Sequence, residues 1–139
     1  MLLLLVGVGC TTQPKVPARS IQLHQSWALQ PGSRIANYQI TGGLGDISIA
    51  LKGHRVHAPF TGRVQPLSSD CVIFSSPEIP AYLFRLCGIK RPRLGALKAG
   101  EVFGSSHALQ FAALRKQPNG TWAIVEPAAD VLERTIGHP

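Results

Sequence analysis

Arg55-Val56-His57-Ala58-Pro59-Phe60-Thr61-Gly62-Arg63-Val64-Gln65 decides the fold class. Two short runs, Arg55–Ala58 and Gly62–Gln65, flank a Pro-and-Gly turn, and neither is long enough to repeat at helical spacing. The arrangement recurs outward in both directions. Tyr38–Thr41 and Asp46–Leu51 precede it, and Cys71–Ser75, Tyr82–Leu86, Glu101–Phe103, Leu109–Leu114 and Thr121–Val125 follow, separated by Gly, Pro or Asn. Side chains alternate along a strand, so in the Leu109–Leu114 run Leu109 and Phe111 share one face, and Ala108, Gln110 and Ala112 share the other. Pro127–Ile136 alone reads as a helix: Pro in its first turn, Glu126 and Asp130 early, Arg134 late and Gly137 as a stop. The expectation is an all-β domain over residues 35–139 that ends in a short C-terminal helix.

A chain of 139 residues has room for one domain with a single core. With 45% hydrophobic residues, 15% charged residues, 14 Gly and 11 Pro, the composition suits a turn-rich globular domain and excludes a disordered or coiled-coil chain. Fourteen Lys and Arg against seven Asp and Glu leave a net charge of +7, which favours an acidic partner. Arg85, Lys90, Arg91, Arg93 and Lys98 fall in one segment without an acidic residue and form the candidate partner surface; a solvated turn around Pro92 is the alternative. No aromatic residue interleaves with these charges, which argues against nucleic acid.

Met1–Gly9 is an uncharged apolar run ending at Cys10, too short to span a bilayer but matching the apolar region of an export signal. Small residues just before a Cys resemble the bacterial lipoprotein signal, which would make residues 1–9 a signal and Cys10 a lipidated residue. A buried N-terminal strand is the alternative. Residues 10–34, with Pro14, Pro17, Pro31 and Gly32, read as a flexible tether. Export would place Cys71 and Cys87, sixteen positions apart, in an oxidising compartment. The spacing allows a disulfide across a hairpin and equally two small buried side chains.

Three segments in order carry a family likeness: Asp46-Ile47-Ser48-Ile49-Ala50, Val56-His57-Ala58-Pro59-Phe60-Thr61-Gly62-Arg63-Val64, and Gly95-Ala96-Leu97-Lys98-Ala99-Gly100-Glu101-Val102-Phe103-Gly104. They continue into Leu109–Arg115, Asn119-Gly120-Thr121-Trp122 and Glu126-Pro127. Together these resemble the lysostaphin/LytM-type zinc endopeptidases that cut peptidoglycan cross-bridges. The resemblance covers residues 40–132 and implies a small two-layer antiparallel β structure of the barrel-sandwich hybrid, or duplicated hybrid motif, kind. It also implies an active groove across the central sheet.

Members of that family hold zinc with H-x-x-x-D from an early strand and a His of a late H-x-H pair, because catalytic zinc takes three protein ligands and keeps a position for water. Here the corresponding positions are Gly42, Asp46, Ala108 and Gln110, with Ala112 where the family has a following Glu. None of His24, His54, His57, His107 and His138 stands two residues from another His or four before an Asp. His107 with Asp46 is the one pair left that could share the groove; His54 and His57 read as surface residues flanking a turn. The expectation is therefore no metal, no cofactor and no catalytic residues.

Other templates fail as well. Ser48, Ser105 and Ser106 lack a nucleophile-elbow context. Gly42-Gly43-Leu44-Gly45 lies between two strands with no helix after it, so it reads as a hairpin turn rather than a phosphate loop. Lys98 sits in a K-A-G-E turn without flanking methionines, unlike a lipoyl or biotinyl attachment site. The functional expectation is an exported, lipid-anchored, non-catalytic protein on the periplasmic or outer side of a membrane, binding a protein partner, a membrane complex or a peptidoglycan peptide. The alternatives are an active zinc endopeptidase with atypical ligands and a lipoyl-like adaptor or scaffold of a membrane assembly.

Overall fold

A computed structural model describes residues 27–137. The signal-like segment 1–9, Cys10, His24 and His138 lie outside the described residues. The elements are β1 (Arg34–Ile35), β2 (Tyr38–Gly42), β3 (Ile47–Ala50), β4 (Arg55–His57), β5 (Gly62–Pro66), β6 (Cys71–Ser75), β7 (Tyr82–Lys90), β8 (Gly95–Leu97), β9 (Val102–Lys116), β10 (Trp122–Val125) and α1 (Ala129–Ile136). This is an all-β, antiparallel domain with one short C-terminal helix, as the alternation of strand runs and turns requires.

One long strand organises the sheet. β9 carries β7 along most of one edge, from Tyr82 opposite Arg115 to Lys90 opposite Ser105. Along its other edge three short strands follow in series: β10 on Ala113–Lys116, β3 on Ala108–Phe111 and β4 on Val102–Ser105. Beyond β7 the order continues through β6 and β5 to β8, and beyond β3 through β2 to β1.

Alternation puts Ile47, Ile49, Val72, Phe74, Phe84, Leu86, Leu109 and Phe111 on the packed side, all buried. The sheet curls so that Phe74 of β6 stacks on Phe84 at 6.2 Å and on Phe103, from the far end of β9, at 6.5 Å. Phe84 also meets Phe111 at 5.1 Å. Truncating Phe74, which is wholly buried at the centre of this cluster, would cost about 3–5 kcal/mol. Helix α1 closes the core with Leu132 and Ile136.

Several strand ends shift by a residue and the helix starts at Ala129 rather than Pro127, and four departures from the sequence reading are larger. Glu101–Phe103 and Leu109–Leu114 are parts of one 15-residue strand, because the ladders to β4 and β7 carry the backbone through Gly104-Ser105-Ser106. β7 runs on to Lys90 through a bulge at Gly88, whose φ is +81° and where a side chain would collide with the carbonyl of Ala108. Gly95–Leu97, read as part of a basic loop, is strand β8 on the edge of β5. Residues 27–33, assigned to the tether, pack on the domain: Leu29 is buried, its N–H donates to Glu126 at 2.9 Å, and Trp27 rests against the core.

Candidate functional site on the open face of the sheet

The outward-facing residues of β2, β3, β9, β7, β6 and β5 form the face the core leaves free. In one cross-strand row Ser48, Gln110, Cys87 and Cys71 face one another in turn, with Gly42 beyond Ser48. The next row holds Ile73, Arg85 and Ala112, and Asp46 follows just before Ile47, the partner of Phe111. Ala50 opposite Ala108 makes the row on the other side. Gly42, Asp46, Ala108 and Gln110 therefore share one patch. Gly42-Gly43-Leu44-Gly45 is part of the β2–β3 hairpin connection.

Two features define the chemistry of this patch. Arg85 lies between the core residues Phe84 and Leu86, so alternation turns it outward, and its guanidinium donates to the Asp46 carboxylate at 2.9 Å. The two side chains are 30% and 39% exposed, so the pair is partly solvated and worth about 1 kcal/mol or less. It bridges over Ala112, which lies on the open face yet is fully buried. Beside it, Cys71 and Cys87 are joined by a disulfide across the β6–β7 ladder. A side chain at Gly42 would start 3.0 Å from the Ser48 hydroxyl.

His107 does not join Asp46. Its carbonyl accepts from the N–H groups of Leu51 and Lys52, whereas Asp46 sits beside Ala112, five residues further along β9, roughly 16 Å at about 3.3 Å per residue. His54 is exposed and edge-on to Tyr38 at 5.4 Å. His57, read as a surface residue, is half-buried beneath the end of α1. Its Nδ1 is buried without a hydrogen-bond partner, and a Cβ on Gly137 (φ +70°) would come within 2.9 Å of its ring. Ser106 is buried, with its hydroxyl donating to the Gly88 carbonyl at 2.7 Å, so it is a structural strut rather than a nucleophile. Among the described residues no three His, Cys, Asp or Glu side chains converge as a metal-binding group.

The basic segment divides. Arg85 is committed to Asp46. Lys90 and Arg91 stand exposed at the β7–β8 turn, where Arg91 adopts a φ of +50°. Arg93 and Lys98 line a shallow surface depression with Arg63, which sequence reasoning left out of the group. Arg63 faces outward between Ala96 of β8 and Ser75 of β6, a position that the alternation of buried Gly62 and Val64 signals. Glu101 is the acidic member of this depression. The backbone N–H of Lys98, reinforced by Arg93 at 3.6 Å, holds its carboxyl below the usual carboxylate range.

Searched against known proteins, the chain matches no protein-family model and no curated protein. Among the described residues no helix is long and apolar enough to cross a membrane.

Proposed function

We propose that this protein is a non-catalytic binding or accessory subunit, held at a membrane by a lipid on Cys10, whose β domain is a degenerate relative of the lysostaphin/LytM-type endopeptidases. The observation that carries this reading is the Asp46–Arg85 ion pair. Asp46 is the one zinc-ligand position that the resemblance leaves with a ligand-type side chain, and a guanidinium 2.9 Å away occupies the carboxylate that a metal would need. The guanidinium and a Zn²⁺ ion compete for the same oxygen, and one carboxylate falls short of the three protein ligands that catalytic zinc takes. Gly42, Ala108 and Gln110, in the neighbouring rows, offer no imidazole or thiolate.

A sheet face without a metal still presents ordered side chains and backbone to a partner. Lys90, Arg91, Arg93, Lys98 and Arg63 give it a cationic flank suited to an acidic protein segment of an envelope or membrane complex.

The test is a pull-down from membranes of the native host with the lipidated full chain, beside Arg91→Glu/Arg93→Glu. The wild type is expected to retain a partner that salt releases, and the charge-reversed variant to lose it. Equal recovery by both chains would overturn the cationic flank as the contact.

A further inference from the structure

Behind the open face, where β10 runs into α1, the packing leaves a cavity of about 350 Å³. Its walls are apolar, built from Phe60, Ile79, Tyr82, Phe84, Val125 and Val131. Ala113 explains why it is there: opposite the ring of Phe84, β9 supplies only a methyl group. Protein cores otherwise fill space nearly as densely as organic crystals, and clefts of this volume and lining are the usual form of small-molecule sites.

The lining carries one cation, Arg115, and one carboxylate, Glu126. The guanidinium of Arg115 lies over the Tyr82 ring at 5.9 Å, and none of the described carboxylates ion-pairs with it. Helix α1 starts at the cavity wall; no side chain caps it at Ala128, the N–H groups of Val131 and Leu132 donate to the Ala128 carbonyl, and Asp130 stands in its first turn. Glu126, the carboxylate among the lining residues, is already the acceptor for the Leu29 N–H at 2.9 Å. A second guanidinium, Arg134, lies over the outer wall at Phe60, 5.1 Å from the ring centre, and pairs with Asp130 at 3.9 Å.

We propose that this cavity binds a small amphiphilic carboxylate, with its apolar body inside the walls and its carboxylate at Arg115. Arg115 supplies a charge-assisted hydrogen bond. The site is on the side of the sheet opposite the Asp46–Arg85 patch and does not depend on the function proposed above. A short-chain fatty acid and the apolar C-terminal residue of a peptide share this chemistry.

The test is a titration of the full chain, carrying Cys10→Ser so that no lipid is attached, followed by NMR at the backbone amides of Ala113, Val125 and Val131. The probes are octanoate, octanol and N-acetylleucine. Octanoate is expected to shift these resonances saturably, and binding should tighten about fourfold for each methylene added from butanoate upward until the cavity is full. Arg115→Met should weaken octanoate about tenfold or more while leaving octanol nearly unchanged. Should that variant not fold, Val131→Phe, which fills the cavity from the helix side, is expected to abolish binding of both carboxylates. Tighter binding of N-acetylleucine than of octanoate would identify a peptide terminus as the source, and the reverse an acyl chain. The proposal is overturned by the absence of a saturable shift with either carboxylate, by octanol binding as tightly as octanoate, or by unchanged binding to a folded Arg115→Met or Val131→Phe chain.

Discussion

Arg85 reaches across β9 to hold the Asp46 carboxylate at 2.9 Å, above the methyl group of Ala112. The arrangement needs a small residue on the middle strand, because two side chains from flanking strands can meet only if nothing stands between them. A double-mutant cycle on Asp46→Ala and Arg85→Ala, followed by urea unfolding, should return a coupling of about 0.5–1 kcal/mol, the size of a partly solvated pair. Ala112→Leu should remove that coupling by raising a side chain into the gap. A coupling of zero in the otherwise wild-type background would show that the pair is not a fixed part of the face.

The pair also marks where sequence reasoning stops. Arg85 reads as the first of a run of cations and Asp46 as a remnant of a ligand set, and nothing local connects residues 39 positions apart. Alternation does place both side chains on one face, since Phe84 and Leu86 flank Arg85 and Ile47 follows Asp46. What it leaves out is register: only the pairing of β7 and β3 with β9 makes them neighbours. Register also hides the length of β9, whose Gly104-Ser105-Ser106 segment looks like a break until β4 and β7 are seen to pair with it. Elsewhere strong local signals sufficed. Cys71–Ser75 is a strand at the residues the pattern assigns, and the helix ends at Gly137 where the stop signal lies.

The Cys71–Cys87 bond closes a loop of sixteen positions between neighbouring strands. Chain-entropy reasoning puts its contribution near 3 kcal/mol. Urea unfolding of the oxidised chain and of Cys71→Ala/Cys87→Ala should differ by about 2–3 kcal/mol in that direction. Equal midpoints and slopes would show that the bond does not restrict the unfolded ensemble.

Glu101 gives the β8–β9 turn a pH dependence of known sign. The Lys98 N–H and Arg93 lower its carboxyl pKa in the folded state, so folding favours the ionised form. Its stabilising contribution is complete above the ordinary carboxylate range and is lost as pH falls through the folded value. Thermal melts should therefore place the wild type above Glu101→Gln at about pH 6, with the gap narrowing as the pH falls below the ordinary carboxylate range. A gap that stayed constant across this range would show that the ionised carboxylate is not favoured by folding.

If the face carrying Asp46 is a binding surface without a catalytic metal, metal content tests it most directly. The full chain is purified without chelator, incubated with zinc, desalted and analysed for bound metal. With the Asp46 carboxylate held by Arg85, the domain should retain zinc far below one equivalent per chain and leave peptidoglycan uncut. One equivalent of tightly held zinc, lost on Asp46→Ala and accompanied by peptidoglycan cleavage, would contradict that claim.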